Sequence, residues 1–117
     1  MAAAQHPSFS THVLDNERGL PAAGVRVTLE RQAGDAFAAL ADRTTDANGR
    51  IADLLPGALA AGGYRIRFYA GAYWAALGGD APFLRVVTIE LEITDTSRHY
   101  HVPLLMTRYA CTSYRGS

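Results

Sequence analysis

Val86 to Ile93 reads VVTIELEI, and it is the clearest local order in the chain. Val87, Ile89, Leu91 and Ile93 fall on one side and Thr88, Glu90 and Glu92 on the other, the period of a strand buried on one face. Two upstream segments repeat the pattern. Val25, Val27 and Leu29 alternate with Arg26, Thr28 and Glu30, and Tyr64, Ile66 and Phe68 alternate with Arg65, Arg67 and Tyr69. Phe9 to Asp15 (FSTHVLD) is rich in β-favouring residues, and the alanine-rich Phe37 to Thr45 is a further strand candidate. His99 to Met106 and Tyr109 to Arg115 supply the last two.

Between these runs lie breakers: Gly19, Pro21 and Gly24, then Asp46-Ala47-Asn48-Gly49-Arg50, Pro56-Gly57 and Gly62-Gly63. Ala70 to Leu77 is the one helical segment, stopped by Gly78-Gly79. About eight short strands, one short helix and turns every 8 to 12 residues predict an all-β fold, an antiparallel β-sandwich.

The 117 residues suit one domain, which buries roughly 65% of the surface its extended chain exposes. Residues 1–8 read as a loose arm and residues 9–117 as the sandwich. Eleven basic residues balance eleven acidic ones without a basic cluster, which argues against nucleic-acid and anionic-membrane partners. No apolar run approaches the length of a membrane span, and the start MAAAQHPSFST has neither a basic nor an apolar leader region. The single cysteine, Cys111, forms no internal disulfide and is expected to pack within a strand. A cytoplasmic protein is the expectation.

Alternation places His99, His101, Pro103 and Leu105 on one face of their strand and Tyr100, Val102 and Leu104 on the other, the core face. Pro103 donates no ladder hydrogen bond, so its strand is expected to be an edge or irregular there. His12 and Leu14 share a face of the first strand in the same way. His12, His99 and His101 admit three readings: ordinary structural histidines, a three-nitrogen metal site, or imidazoles passing a proton to and from a substrate. No Gly-x-Ser-x-Gly elbow and no Gly-rich phosphate loop is present.

Four stretches taken together resemble the transthyretin-like family and, within it, the 5-hydroxyisourate hydrolases. They are Ser10 to Asp15 (STHVLD), Asp46 to Arg50 (DANGR), His99 to Leu105 (HYHVPLL) and the terminal Tyr114-Arg115-Gly116-Ser117. The resemblance implies a transthyretin-like sandwich, a homotetramer built as a dimer of dimers, and active sites in the channel where dimers meet. It implies catalytic roles for His12, Arg50 and His101. Substrate-binding roles fall to Tyr114, Arg115, Gly116, Ser117 and, ranked below His101, His99. It implies no cofactor and no metal. The hormone carrier of the family lacks the histidines, the arginine and the terminal tetrapeptide, which favours the hydrolase over a non-catalytic carrier or interaction module. The implied reaction opens the cyclic amide of a purine-derived substrate. Three stretches depart from the family pattern: Met106-Thr107-Arg108, Ala110-Cys111-Thr112 and Phe83 to Val86.

Overall fold

The computed structural model describes residues 7–116. The expected arm lies mostly outside the described residues, and so does Ser117. Ser8, given to the arm by the sequence reading, is buried. Its carbonyl accepts from the Tyr100 N–H at 2.9 Å, and its hydroxyl bonds the Asp53 carboxylate and accepts from the Leu55 N–H.

Nine strands and one helix follow in the order β1 (Phe9–Asp15), β2 (Leu20–Pro21), β3 (Arg26–Ala33), β4 (Ala36–Thr44), β5 (Arg50–Ile51), β6 (Gly62–Phe68), α1 (Ala70–Leu77), β7 (Val87–Ile93), β8 (Tyr100–Met106) and β9 (Cys111–Ser113). One sheet runs β2-β1-β8-β9, with β5 also pairing β1, and the other runs β4-β3-β6-β7. The long strands and the helix lie where the sequence placed them to within a few residues. The two-residue strands β2 and β5 lack the length to show any alternation.

The sandwich is not antiparallel throughout. β1 and β8 pair in parallel over seven residues, Phe9 beside Tyr100 through Asp15 beside Met106. Parallel neighbours need a long crossover, and here the whole second sheet and the helix supply it. His99 stands just outside β8 and is exposed. Cys111, expected to pack, opens β9 and is exposed, because that face of the short edge strand has nothing over it among the described residues.

The core lies between the sheets. Phe9, Val13, Val102 and Leu104 meet Val27, Leu29, Tyr64, Ile66 and Phe68. Phe9 packs on Tyr64 and Tyr100 at 5.0 and 6.0 Å between ring centres. On the solvent face of the second sheet, Arg65 and Arg67 both reach Glu30, and Arg26 binds Asp42 bidentately. Among the described residues no helix is long and apolar enough to cross a membrane.

Two polar knots tie the helix to the first sheet. Asp15 is fully buried at the end of β1 and accepts from the Glu17 and Arg18 N–H groups, the Arg18 guanidinium and the Tyr73 hydroxyl. Burial alone would push this carboxyl up; the four donors outweigh it and hold it below its ordinary 3.8.

The second knot is Arg108, in the turn between β8 and β9. Its guanidinium lies 4.7 Å from the centre of the buried Trp74 ring and donates to the Gly78 carbonyl at 2.6 Å and the Asp80 carbonyl at 2.9 Å. It also pairs with Glu17, and its side chain is only 15% exposed. A cation at a helix C-terminus satisfies carbonyls that the helix leaves without partners. Arg108→Ala is expected to lower unfolding stability by about 1–3 kcal/mol in urea titrations. A loss below about 0.5 kcal/mol, the size of an exposed ion pair, would show that solvent screens the clamp.

Candidate active site

The outward face of the first sheet carries the site. Because the strand period is two, burying Phe9, Thr11 and Val13 sends Ser10, His12 and Leu14 outward, where they are half-buried. On β8, the burial of Tyr100, Val102 and Leu104 sends His101 and Leu105 the same way. The parallel register sets Ser10 beside His101 and His12 beside Pro103.

Arg50 arrives from the far side of β1. It opens β5, which pairs antiparallel with β1 and sets Arg50 directly across from His12. Facing residues in such a pair project on the same side, with roughly 5 Å between their Cβ atoms. The preceding turn is held by Asp46, whose carboxylate accepts the N–H groups of Asn48 at 2.8 Å and Arg50 at 2.9 Å. Gly49 has φ +74°, and a Cβ there would sit 2.4 Å from the Val13 carbonyl. Only glycine therefore lets the carbonyl of this turn accept the Val13 N–H at 2.7 Å and lock β5 against β1.

A cleft of about 400 Å³ lies over this face, lined by Ser10, Thr11, Arg50, Ile51, His99 and His101 among others. Ser10 is the residue that sequence reasoning missed. Its hydroxyl lies 2.8 Å from Nδ1 of His101 and 2.8 Å from Nε2 of His99. Its place two residues before His12 was visible in the sequence; its neighbour on β8 was not.

His101 is held below its ordinary 6.5, first by partial burial, then by the charges of His12, Arg50 and His99. At neutral pH its imidazole is uncharged and able to accept a proton. Arg50 is exposed, and among the described residues no carboxylate pairs with its guanidinium. Nor, among those residues, is any set of three His, Cys, Asp or Glu side chains placed to hold one metal ion.

The terminal segment divides. Gly116 donates its N–H to the His101 carbonyl at 2.8 Å, and a Cβ on it would come within 2.5 Å of the His101 ring. Its bare backbone therefore backs the imidazole. Tyr114 and Arg115 instead line a separate groove of about 470 Å³ with Ile89, Leu91, Tyr100 and Val102. The fold thus gathers His12, Arg50, His99, His101 and Gly116, and within one chain it leaves Tyr114 and Arg115 outside the cleft. The electrostatics predict that Arg50→Gln raises the His101 titration midpoint towards 6.5, because a neighbouring cation disfavouring the imidazolium is gone. Histidine NMR against pH measures it; an unmoved midpoint would place the guanidinium out of electrostatic reach.

The model of the HIUase/Transthyretin family matches residues 9–116. The 5-hydroxyisourate hydrolase of Deinococcus radiodurans is 46% identical over 116 residues, covering 96% of this chain and 98% of the relative. The solved structure of Klebsiella pneumoniae 5-hydroxyisourate hydrolase superposes with a TM-score of 0.83 at 36% identity, covering 94% of this chain and 99% of that one. Transthyretin from Sparus aurata superposes at 0.88 with 28% identity, covering 96% and 97%. By the match to residues 9–116 and the identity to its members, the chain belongs to the HIUase/Transthyretin family.

Proposed function

We propose that this chain hydrolyses 5-hydroxyisourate, opening its cyclic amide to give 2-oxo-4-hydroxy-4-carboxy-5-ureidoimidazoline. One observation carries the reading beyond family membership: a guanidinium with no carboxylate partner among the described residues shares one cleft with an imidazole whose protonation is disfavoured. Such a cleft suits an electron-rich, uncharged or anionic heterocycle whose carbonyl gains negative charge as it reacts.

Water adds to the ring carbonyl, the carbonyl oxygen becomes an oxyanion, and the carbon–nitrogen bond then breaks. His12 and His101 orient the water and take one of its protons; the same proton returns to the departing nitrogen, so the site ends as it began. General acid–base work of this kind contributes ~10²–10⁴-fold. The Arg50 guanidinium stabilises the oxyanion. His99 and the terminal Tyr114, Arg115, Gly116 and Ser117 are assigned to substrate binding, with Gly116 acting through the His101 ring it backs.

The proposal includes assembly into a homotetramer. β7 and β9 each form one edge of their sheet, and the groove between them is lined mainly by apolar residues, Ile89, Leu91, Ile93, Tyr100 and Val102 among them. Edges of this kind pair with a second copy. The half-buried Leu14 and Leu105 beside the histidines then suit a second contact that closes the channel. A free, exposed cysteine fits a reducing, cytoplasmic setting.

The direct test generates 5-hydroxyisourate in place from urate with urate oxidase and follows its ultraviolet decay, with the chain chelated beforehand. Decay well above the spontaneous rate is expected; decay at the spontaneous rate would overturn the hydrolase reading in favour of a carrier. Arg50→Glu is expected to cost at least ~100-fold in kcat/KM with an unchanged fold, and unchanged turnover would remove Arg50 from the mechanism. Native mass spectrometry is expected to show four copies, and a monomer at micromolar concentration would contradict the shared-channel arrangement.

A further inference from the structure

Ser10 stands between two imidazoles with only one proton to give. Its hydroxyl lies within hydrogen-bond distance of Nδ1 of His101 and Nε2 of His99, and it can donate to one ring while accepting from the other. The protonation of the two rings is therefore coupled through a single rotor. The burial gradient is directional: His101 and Ser10 are half-buried in the cleft, whereas His99 is exposed. The groups facing His101 are His12 from β1, Arg50 from β5 and His99 from the segment before β8. All three oppose an imidazolium at that position.

We propose that Ser10 is a positioning residue that holds His101 with its proton on Nδ1, leaving Nε2 as the acceptor in the cleft, and that His101, Ser10 and His99 form a proton relay from cleft to surface. This rests on the reading of His101 as a base. In the resting arrangement, Nδ1–H of His101 donates to Ser10 Oγ, and the Ser10 hydroxyl donates to Nε2 of His99, whose own proton is on Nδ1. When Nε2 of His101 takes a proton from water, its Nδ1 proton passes to Oγ, and the hydroxyl proton passes to Nε2 of His99. His101 remains neutral beside Arg50, and the positive charge rests on His99, where water hydrates it. The reverse shift restores Nδ1–H of His101 as its Nε2 proton goes to the departing nitrogen. No proton is gained or lost over the cycle.

The arrangement gives His99, peripheral to the cleft floor, a defined task. It also explains why a hydroxyl on β1 and two imidazoles around β8, about ninety residues apart, meet at matched distances.

The test uses the full chain labelled with ¹⁵N-histidine, in the wild type and in Ser10→Ala, Ser10→Thr and His99→Ala. Long-range ¹H–¹⁵N correlations read the His101 tautomer in the free protein. Nδ1–H is expected in the wild type and in Ser10→Thr, and in Ser10→Ala a shift to a majority of Nε2–H, the form free imidazoles prefer. Kinetics should show kcat falling tenfold or more in Ser10→Ala and in His99→Ala, with KM within about twofold of wild type in Ser10→Ala. Ser10→Thr should retain at least a third of wild-type kcat, and the double variant Ser10→Ala/His99→Ala should be no worse than either single. An identical His101 tautomer in wild type and Ser10→Ala overturns the proposal whether or not hydrolysis is observed. So does a kcat for Ser10→Ala within twofold of wild type, or additive losses in the double variant. A wild type with the expected tautomer and no hydrolysis would overturn the proposed reaction and leave the coupling of the rings through Ser10 standing.

Discussion

The seven-residue parallel pairing of β1 with β8 is the constraint on which the rest depends. It places Phe9, Thr11 and Val13 over the core together with Tyr100, Val102 and Leu104, and the Thr11 hydroxyl, buried there, is satisfied by the Val102 carbonyl at 2.6 Å. A slip of β1 by one residue against β8 would turn Ser10 and His12 into the core and expose Phe9 and Val13. Burial of Phe9 against Tyr64 and Tyr100 therefore also enforces the outward direction of the imidazoles. About ninety residues separate its partners, so the pair closes the whole intervening chain into one loop. The cleft consequently has no existence apart from the completed sandwich, and no local segment carries a working part of it.

Both ends of β1 are pinned by polar contacts as well as by the hydrophobic layer. At its start, Ser8 bonds across to Tyr100 and to the Asp53–Leu55 loop. At its end, the buried Asp15 collects four donors from a turn and from α1. A buried carboxylate without such donors would cost several kcal/mol, so the donors must be in place whenever β1 is. The same knot fixes the helix, and Arg108 fixes its far end through Trp74. Arg108 thus holds the helix end with a cation and hydrogen bonds from the turn after β8.

Much of this was legible in the sequence, for identifiable reasons. Segments buried on one face print their alternation directly, as in Val87 to Ile93 and Tyr64 to Phe68, and the outward direction of His12 and His101 followed from the same rule. Pairing partners print nothing, so the parallel β1–β8 contact was not visible, nor was Ser10 as the neighbour of two imidazoles. The expected antiparallel sandwich was right in class and wrong in that one pair. Cys111 misled because an apolar residue in a strand-forming segment packs only if something covers that face, and β9 is three residues long at an edge. The terminal tetrapeptide was read as one unit, whereas the structure sends Gly116 to His101 and Tyr114 with Arg115 to the groove between the sheets.

Pro103 explains that division. A proline in a strand flanked on both sides breaks the ordinary rule, and it is tolerated here because of the direction its missing N–H takes. The His101 carbonyl points to the terminal segment, where it accepts from Gly116; two residues on, the backbone groups of Pro103 point the same way. The Pro103 carbonyl accepts from the Ser113 hydroxyl at 2.8 Å, and its nitrogen has no proton for the residue opposite, Tyr114. The ladder with β1 is therefore untouched, while the ladder to the terminal segment lapses between Leu104–Ser113 and the single bridge His101–Gly116. The lapse releases Tyr114 and Arg115 from regular pairing and still returns the chain to His101 in register. A proline one position earlier or later would have removed a hydrogen bond to β1 instead, and with it the pairing on which the cleft stands.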